Sequence, residues 1–136
     1  MVVMGIDGST TSSGWAIFDT TECKRIDSGR ICPKSKNWRE RIEQEWVLFS
    51  KIFEKFCPEV VYMEDVPMKD GKATILKLGA VQGMVLSLAK QYNSNLVFLL
   101  PSEWRSGLGL FDGTRQGTHR EILKKSKLLK QLFTNL

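Results

Sequence analysis

The sequence predicts an α/β domain built on a mixed sheet, and three observations carry the prediction. Two short apolar runs, Val2 to Ile6 and Val60 to Met63, each end in an acid. At Trp38 the apolar spacing changes from alternation to steps of three and four. Beyond that point helix-like and strand-like stretches alternate. With 136 residues the chain has the length of one domain whose core needs neither disulfide nor metal staple. Its 42% hydrophobic and 26% charged residues are ordinary for a globular protein. No run approaches a membrane span and no signal-like segment opens the chain, so a cytoplasmic protein with no membrane partner is expected.

Val2 to Ile6 is a buried strand that breaks into the polar string Asp7-Gly8-Ser9-Thr10-Thr11-Ser12-Ser13-Gly14, a tight turn. Trp15, Ile17 and the alternating stretch Ile26 to Ile31 add two strands in a meander, with Gly29 near a bend. Ile42, Trp46, Phe49, Phe53 and Phe56 form the apolar stripe of a helix over residues 37–56, stopped before Pro58. Val60 to Met63 is the fourth strand, delivering Glu64 and Asp65. Residues 73–91 form a helix with apolar or small residues almost all round, which calls for a second covering surface: a sandwiched position inside the monomer, or its own copy in a homodimer. Gly79 and Gly83 would let backbones approach closely there. Leu96 to Leu100 is the fifth strand, Pro101 opens a short helix, a glycine-bearing loop spans residues 107–117, and a last helix starts near Thr118.

Charge and cysteines narrow the partners. Residues 1–104 hold 13 basic and 13 acidic side chains, so the formal +5 lies wholly in the last quarter, which carries Arg105, Arg115, Arg120 and Lys124 among others. That tail is either a solvated helix face or a phosphate-facing surface. Cys23, Cys32 and Cys57 match no zinc spacing, so reduced, partly buried thiols are expected.

Asp7 and Glu64 each close an apolar strand, where a lone charge is costly to bury. If the two strands are neighbours, the carboxylates emerge together and repel unless a cation lies between them. Hard oxygen ligands favour Mg²⁺ or Mn²⁺, and a pair of such ions suits phosphodiester cleavage. The small side chains and backbone N–H groups of Gly8, Ser9 and Thr10 would let a phosphate come close. Asp65, on the opposite side of a continuing strand, and Asp112, in a loop, are weaker candidates.

Four stretches in register, MGIDGSTTSSGWAIFD, VYMED, ILKLGAVQG and LLPSEWRSGLG, resemble the RuvC family of Holliday junction resolvases, particularly the shorter forms found in bacteriophages. The likeness is good over residues 2–110 and loose over 111–136. It implies an RNase H-like fold, a single nuclease domain over 1–136, a homodimer, and cutting of four-way junctions and other branched DNA with two Mg²⁺ or Mn²⁺ ions per site. The family's catalytic, metal-binding acids fall on Asp7 and Glu64. DNA-facing positions fall near Ser9, Thr10, Lys72, Gln82, Trp104 and Arg105, and the basic tail adds Arg115, Arg120 and Lys124. The dimer helix falls on Lys77-Leu78-Gly79 and the residues after it, placing Leu78, Gly79, Gly83 and Val85 at the contact.

The chain departs from the pattern in two places. Pro67 stands three residues after the glutamate, where the cellular enzymes carry an aromatic, and no acid comes after Glu121, so the C-terminal helix bearing further metal ligands is missing and the domain is read as incomplete. A branched-DNA-binding module that cannot cut is therefore the alternative to an active nuclease. Two other readings are a nuclease of the same fold acting on flaps or hybrids, and a sugar-kinase or actin-like ATPase turn at Gly5 to Thr11, for which the chain lacks a second domain.

Overall fold

The computed structural model describes residues 1–66 and 68–100, of which Met1–Phe98 form one compact unit. In chain order the elements are β1 (Val2–Asp7), β2 (Ser13–Asp19), β3 (Lys24–Ile31), α1 (Trp38–Phe56), β4 (Val60–Glu64), α2 (Lys72–Gln91) and β5 (Asn95–Leu99). The expected α/β layout is present: one five-stranded sheet in the order β3-β2-β1-β4-β5. It is mixed, because β1 pairs antiparallel with β2 and parallel with β4. The short helix after Pro101, the glycine-bearing loop and the last helix lie outside the described residues.

Register explains the core. Met4 is paired with Ile17 on one side and Val61 on the other, and Ile6 lies between Trp15 and Met63. Strand alternation therefore collects these side chains on one face. Met4, Ile17 and Val61 are fully buried there, joined by Phe49 and Phe53 of α1 and by Val81, Val85 and Leu88 of α2. Phe53 also meets Tyr92 at 5.8 Å between ring centroids.

The ends of α1 are set locally. Asn37 accepts a hydrogen bond from the Arg39 backbone N–H through its side chain, a capping device that satisfies one orphan donor. At the other end Cys57 adopts the left-handed conformation (φ 46°) and its N–H returns to the Phe53 carbonyl, after which Pro58 ends the helix. The buried stripe of α1 differs from the predicted one. Trp46 is exposed, and Glu45, four residues before Phe49 and eight before Phe53, occupies the inward position.

Three further expectations change. Gly29 lies inside β3 rather than at a bend, and the reason for a glycine is that the Trp15 ring lies against it: an added Cβ would sit 2.9 Å from that ring. The irregularity in β3 instead falls at Ile26, where the pairing with β2 shifts between Ile17 and Phe18. The three cysteines are free but exposed rather than partly buried. Finally, α2 is long and apolar enough by length and composition to cross a membrane, but its Val81, Met84, Val85, Leu88 and Ala89 face belongs to the core.

Because Phe53 is fully buried at the centre of this contact, Phe53→Ala should lower the unfolding free energy by about 3–5 kcal/mol, read as a fall in the urea midpoint with an unchanged slope.

Candidate active site

The site is built by the two central strands. Ile6 and Met63 are the last paired residues of the parallel β1–β4 ladder, so Asp7 and Glu64 come next as cross-strand neighbours. Parallel strands lie about 4.8 Å apart, which sets the scale of separation between the two backbones. Both acids are exposed at the sheet's edge and line one cavity of about 240 Å³. Gly8, Met63, Asp65, Val66, Asp70, Leu78 and Gln82 line it with them.

Asp65 corrects the sequence reading. Strand β4 ends at Glu64, so the alternation that would turn Asp65 away no longer applies. Its carboxylate instead lines the same cavity and accepts hydrogen bonds from the Val66 backbone N–H (2.9 Å) and the Gln82 amide (3.1 Å). Gln82, expected to face DNA, thus holds a carboxylate at the cavity. Asp70, which sequence reasoning passed over, lies on the same rim. Among the described residues no three metal-ligating side chains converge on a point. The donors that Asp7 and Glu64 present are hard carboxylate oxygens, a set that fits Mg²⁺ or Mn²⁺ rather than zinc.

The turn between β1 and β2 is tightly held. Gly8 approaches β4 and α2 so closely that an added Cβ would sit 2.5 Å from Met63 Cε and 3.0 Å from Val81 Cγ1. Ser9 N–H donates to Ser13 Oγ, and Thr11 N–H donates to Ser9 Oγ. Of the backbone donors expected to meet a phosphate, the Ser9 N–H is therefore already engaged within the turn. Thr10 is a further correction: it is buried, 7% exposed, and its carbonyl accepts the Arg41 Nε–H at 2.7 Å, so its side chain is not presented to DNA. Ser9 remains half-buried and Lys72 is exposed at the first turn of α2. Trp104, Arg105, Arg115, Arg120 and Lys124 lie outside the described residues.

The four residues expected at a dimer contact separate into three groups. Val85 is fully buried in the monomer core, a correction that comes from its packing against the sheet. Leu78 is half-buried on the acidic cavity. Gly79 and Gly83 are exposed on α2, with open space where their Cβ atoms would be, and Leu76 (58% exposed) and Leu86 (54%) flank them.

Sequence reasoning missed Glu45. It is fully buried, its Oε1 lies 2.6 Å from Ser13 Oγ, and its Oε2 has no hydrogen-bond partner among the described residues. Desolvation raises its carboxyl to about 7, against smaller lowering effects of Ser13 and Arg41. The signal was present in the spacing of Glu45, Phe49 and Phe53 at steps of four.

A sheet with this order, bearing paired acids on its central parallel strands, defines an α/β class of carboxylate-bearing domains, and solved structures place the fold within it. The chain superposes on Thermus thermophilus RuvC in complex with Holliday junction substrate with a TM-score of 0.71, at 20% identity over 81% of this chain and 72% of that one. It also matches the Fowlpox virus resolvase in complex with Holliday junction DNA, with a TM-score of 0.53 and 14% identity, over 91% of this chain and 72% of that one. The fold is RNase H-like. The family model for crossover junction endodeoxyribonuclease RuvC matches residues 3–114, and the chain belongs to that family. Among curated relatives, the RuvC endonuclease of Rickettsia typhi is 30% identical over 105 residues, covering 75% of this chain and 67% of its own. That of Citrifermentans bemidjiense is 32% identical over 92 residues, covering 65% and 56%. The chain therefore spans about two thirds or less of the length of these relatives.

Because the Gly8 backbone is wedged between Met63 and Val81, Gly8→Ala should cost about 1–3 kcal/mol of stability, measured by urea unfolding.

Proposed function

We propose that this chain is a structure-selective DNA endonuclease that cuts four-way junctions and other branched DNA by metal-assisted phosphodiester hydrolysis, working in the cytoplasm as a homodimer. One observation carries the reading: the parallel β1–β4 register sets Asp7 beside Glu64 at the mouth of an acid-lined cavity. Membership of the RuvC family, whose nucleases are metal-dependent, supports it.

Asp7 and Glu64 are the residues that would hold the cation, two Mg²⁺ or Mn²⁺ ions in the fullest form of the site. When bound, such ions acidify an attacking water and neutralise charge on the leaving oxygen. The protein's own contribution is positional. The ladder sets the backbones of Asp7 and Glu64 side by side, the Gln82 amide holds Asp65 at the same cavity, and the pinned Gly8–Ser13 turn fixes the end of β1. Ser9, Lys72 and, by their charge in the sequence, Arg105, Arg115, Arg120 and Lys124 are the candidates for phosphate contact, and binding should be steeply salt-dependent.

The homodimer reading rests on α2. Its exposed stripe of Leu76, Gly79, Gly83 and Leu86 runs at helical spacing along one side, opposite the buried face. Small residues at its centre allow a second helix to come close.

Two outcomes test the reading. A synthetic four-way junction in Mg²⁺ should be nicked by the wild type, and Asp7→Asn or Glu64→Gln should slow that step by at least about a hundredfold. Full activity in Asp7→Asn would overturn the catalytic assignment, while retarded junction DNA with no nicking under any metal condition would mark a binding module. Light scattering should give twice the chain mass for the wild type and the single-chain mass for Leu86→Glu.

A further inference from the structure

The turn that carries the chain from Asp7 into β2 is pinned from beneath by two side chains one helical turn apart on α1. Arg41 donates from Nε to the Thr10 carbonyl and from Nη1 to the Ser35 and Lys36 carbonyls. Glu45 reaches Ser13. The hydrogen atoms around Ser13 set a condition on Glu45. Ser13 Oγ accepts from the Ser9 N–H at 3.0 Å, and lies 2.9 Å from the Ser9 carbonyl and 2.6 Å from Glu45 Oε1. A serine hydroxyl has one hydrogen, so with an ionised Glu45 it can serve only one of those two acceptors.

Protonating the carboxyl removes the conflict. Glu45 then donates to Ser13 Oγ, Ser13 donates to the Ser9 carbonyl, and each group in the chain has a partner of the right kind. We infer that Glu45 is a positioning residue that acts as a neutral carboxylic acid, its proton completing the hydrogen-bond chain Glu45–Ser13–Ser9 that holds the turn behind Asp7. The short contact and the buried Oε2 with no partner among the described residues both fit the neutral form, because a buried, half-satisfied carboxylate is costly. The surroundings agree. The charged group acting on Glu45 is Arg41 on its own helix, whose guanidinium is shared among three carbonyls; the turn faces Glu45 with the uncharged Ser13, and α2 brings apolar Val81, Val85 and Leu88 to the core containing α1.

Ionisation has a defined consequence. Loss of the proton turns the Ser13 hydroxyl toward Glu45 and releases the Ser9 carbonyl, loosening the turn. The folded-state carboxyl titrates near 7 against an ordinary 4.5, so the stabilisation is complete below about 4.5 and is lost as the pH rises to about 7. Glu45→Gln is the informative variant, since its amide can donate to Ser13 at every pH.

The first test is urea unfolding of the full chain against pH. Relative to Glu45→Gln, the folding constant of the wild type should fall on the order of a hundredfold between the two pH limits and then level off; parallel curves would overturn the inference. A carbon NMR titration of the wild type needs no variant: a Glu45 carboxyl midpoint near 7 supports the inference, and one near 4.5 refutes it. A further measurement, resting on the proposed nuclease reading, is junction affinity in Ca²⁺. Wild-type affinity should weaken across the same window while that of Glu45→Gln stays flat, and identical profiles would refute a positioning role. If no variant binds junctions at any pH, the nuclease reading fails while the stability and NMR results still decide the role of Glu45.

Discussion

The site depends on one pairing, the parallel ladder between β1 and β4. It brings together residues 57 positions apart in sequence, Asp7 and Glu64, by aligning Ile6 with Met63 and letting each strand run one residue further. A shift of the register by one residue would send one acid toward the core face and separate it from the other. The register is held by burial: Met4 opposite Val61 and Ile6 opposite Met63 form the floor of the core, and none of these four is more than 5% exposed. Hydrophobic packing thus does electrostatic work, holding two like charges at neighbouring positions at the sheet's edge.

Everything around the ladder restrains its open end. Gly8 fits only because it lacks a Cβ, Gln82 turns the Asp65 carboxylate to the cavity, and α1 grips the adjoining turn through Arg41 and Glu45. The helices therefore have two functions each. α1 buries Phe49 and Phe53 while bracing the turn, and α2 buries Val81, Val85 and Leu88 while turning Gln82 to the cavity and Leu76 and Leu86 to solvent.

Most of this is legible in the sequence because strand and helix periods report burial directly. Periodicity locates the meander, α1, β4 and α2 to within a residue or two, and two apolar runs ending alike point to the pairing of Asp7 with Glu64. The rest turns on position in three dimensions. Val85 and Leu86 are adjacent and both apolar, and only packing assigns one to the core and the other to solvent. The side that Asp65 faces depends on where β4 stops, a one-residue matter that periodicity does not resolve. Thr10 looks like a loop hydroxyl, yet it is buried and its carbonyl is held by Arg41, 31 residues away. Glu45 escapes notice because a glutamate reads as solvent-facing, although its spacing to Phe49 and Phe53 puts it on the buried side.

On the proposed reading, a divalent cation reconciles the neighbouring carboxylates of Asp7 and Glu64. Thermal unfolding of wild type and Asp7→Asn, each in chelator and in excess Mg²⁺ or Mn²⁺, measures this directly. The metal should raise the wild-type melting temperature while leaving Asp7→Asn almost unchanged. An equal response of both proteins to the metal, or a wild type unaffected by it, would contradict this reconciliation of the two acids by a cation.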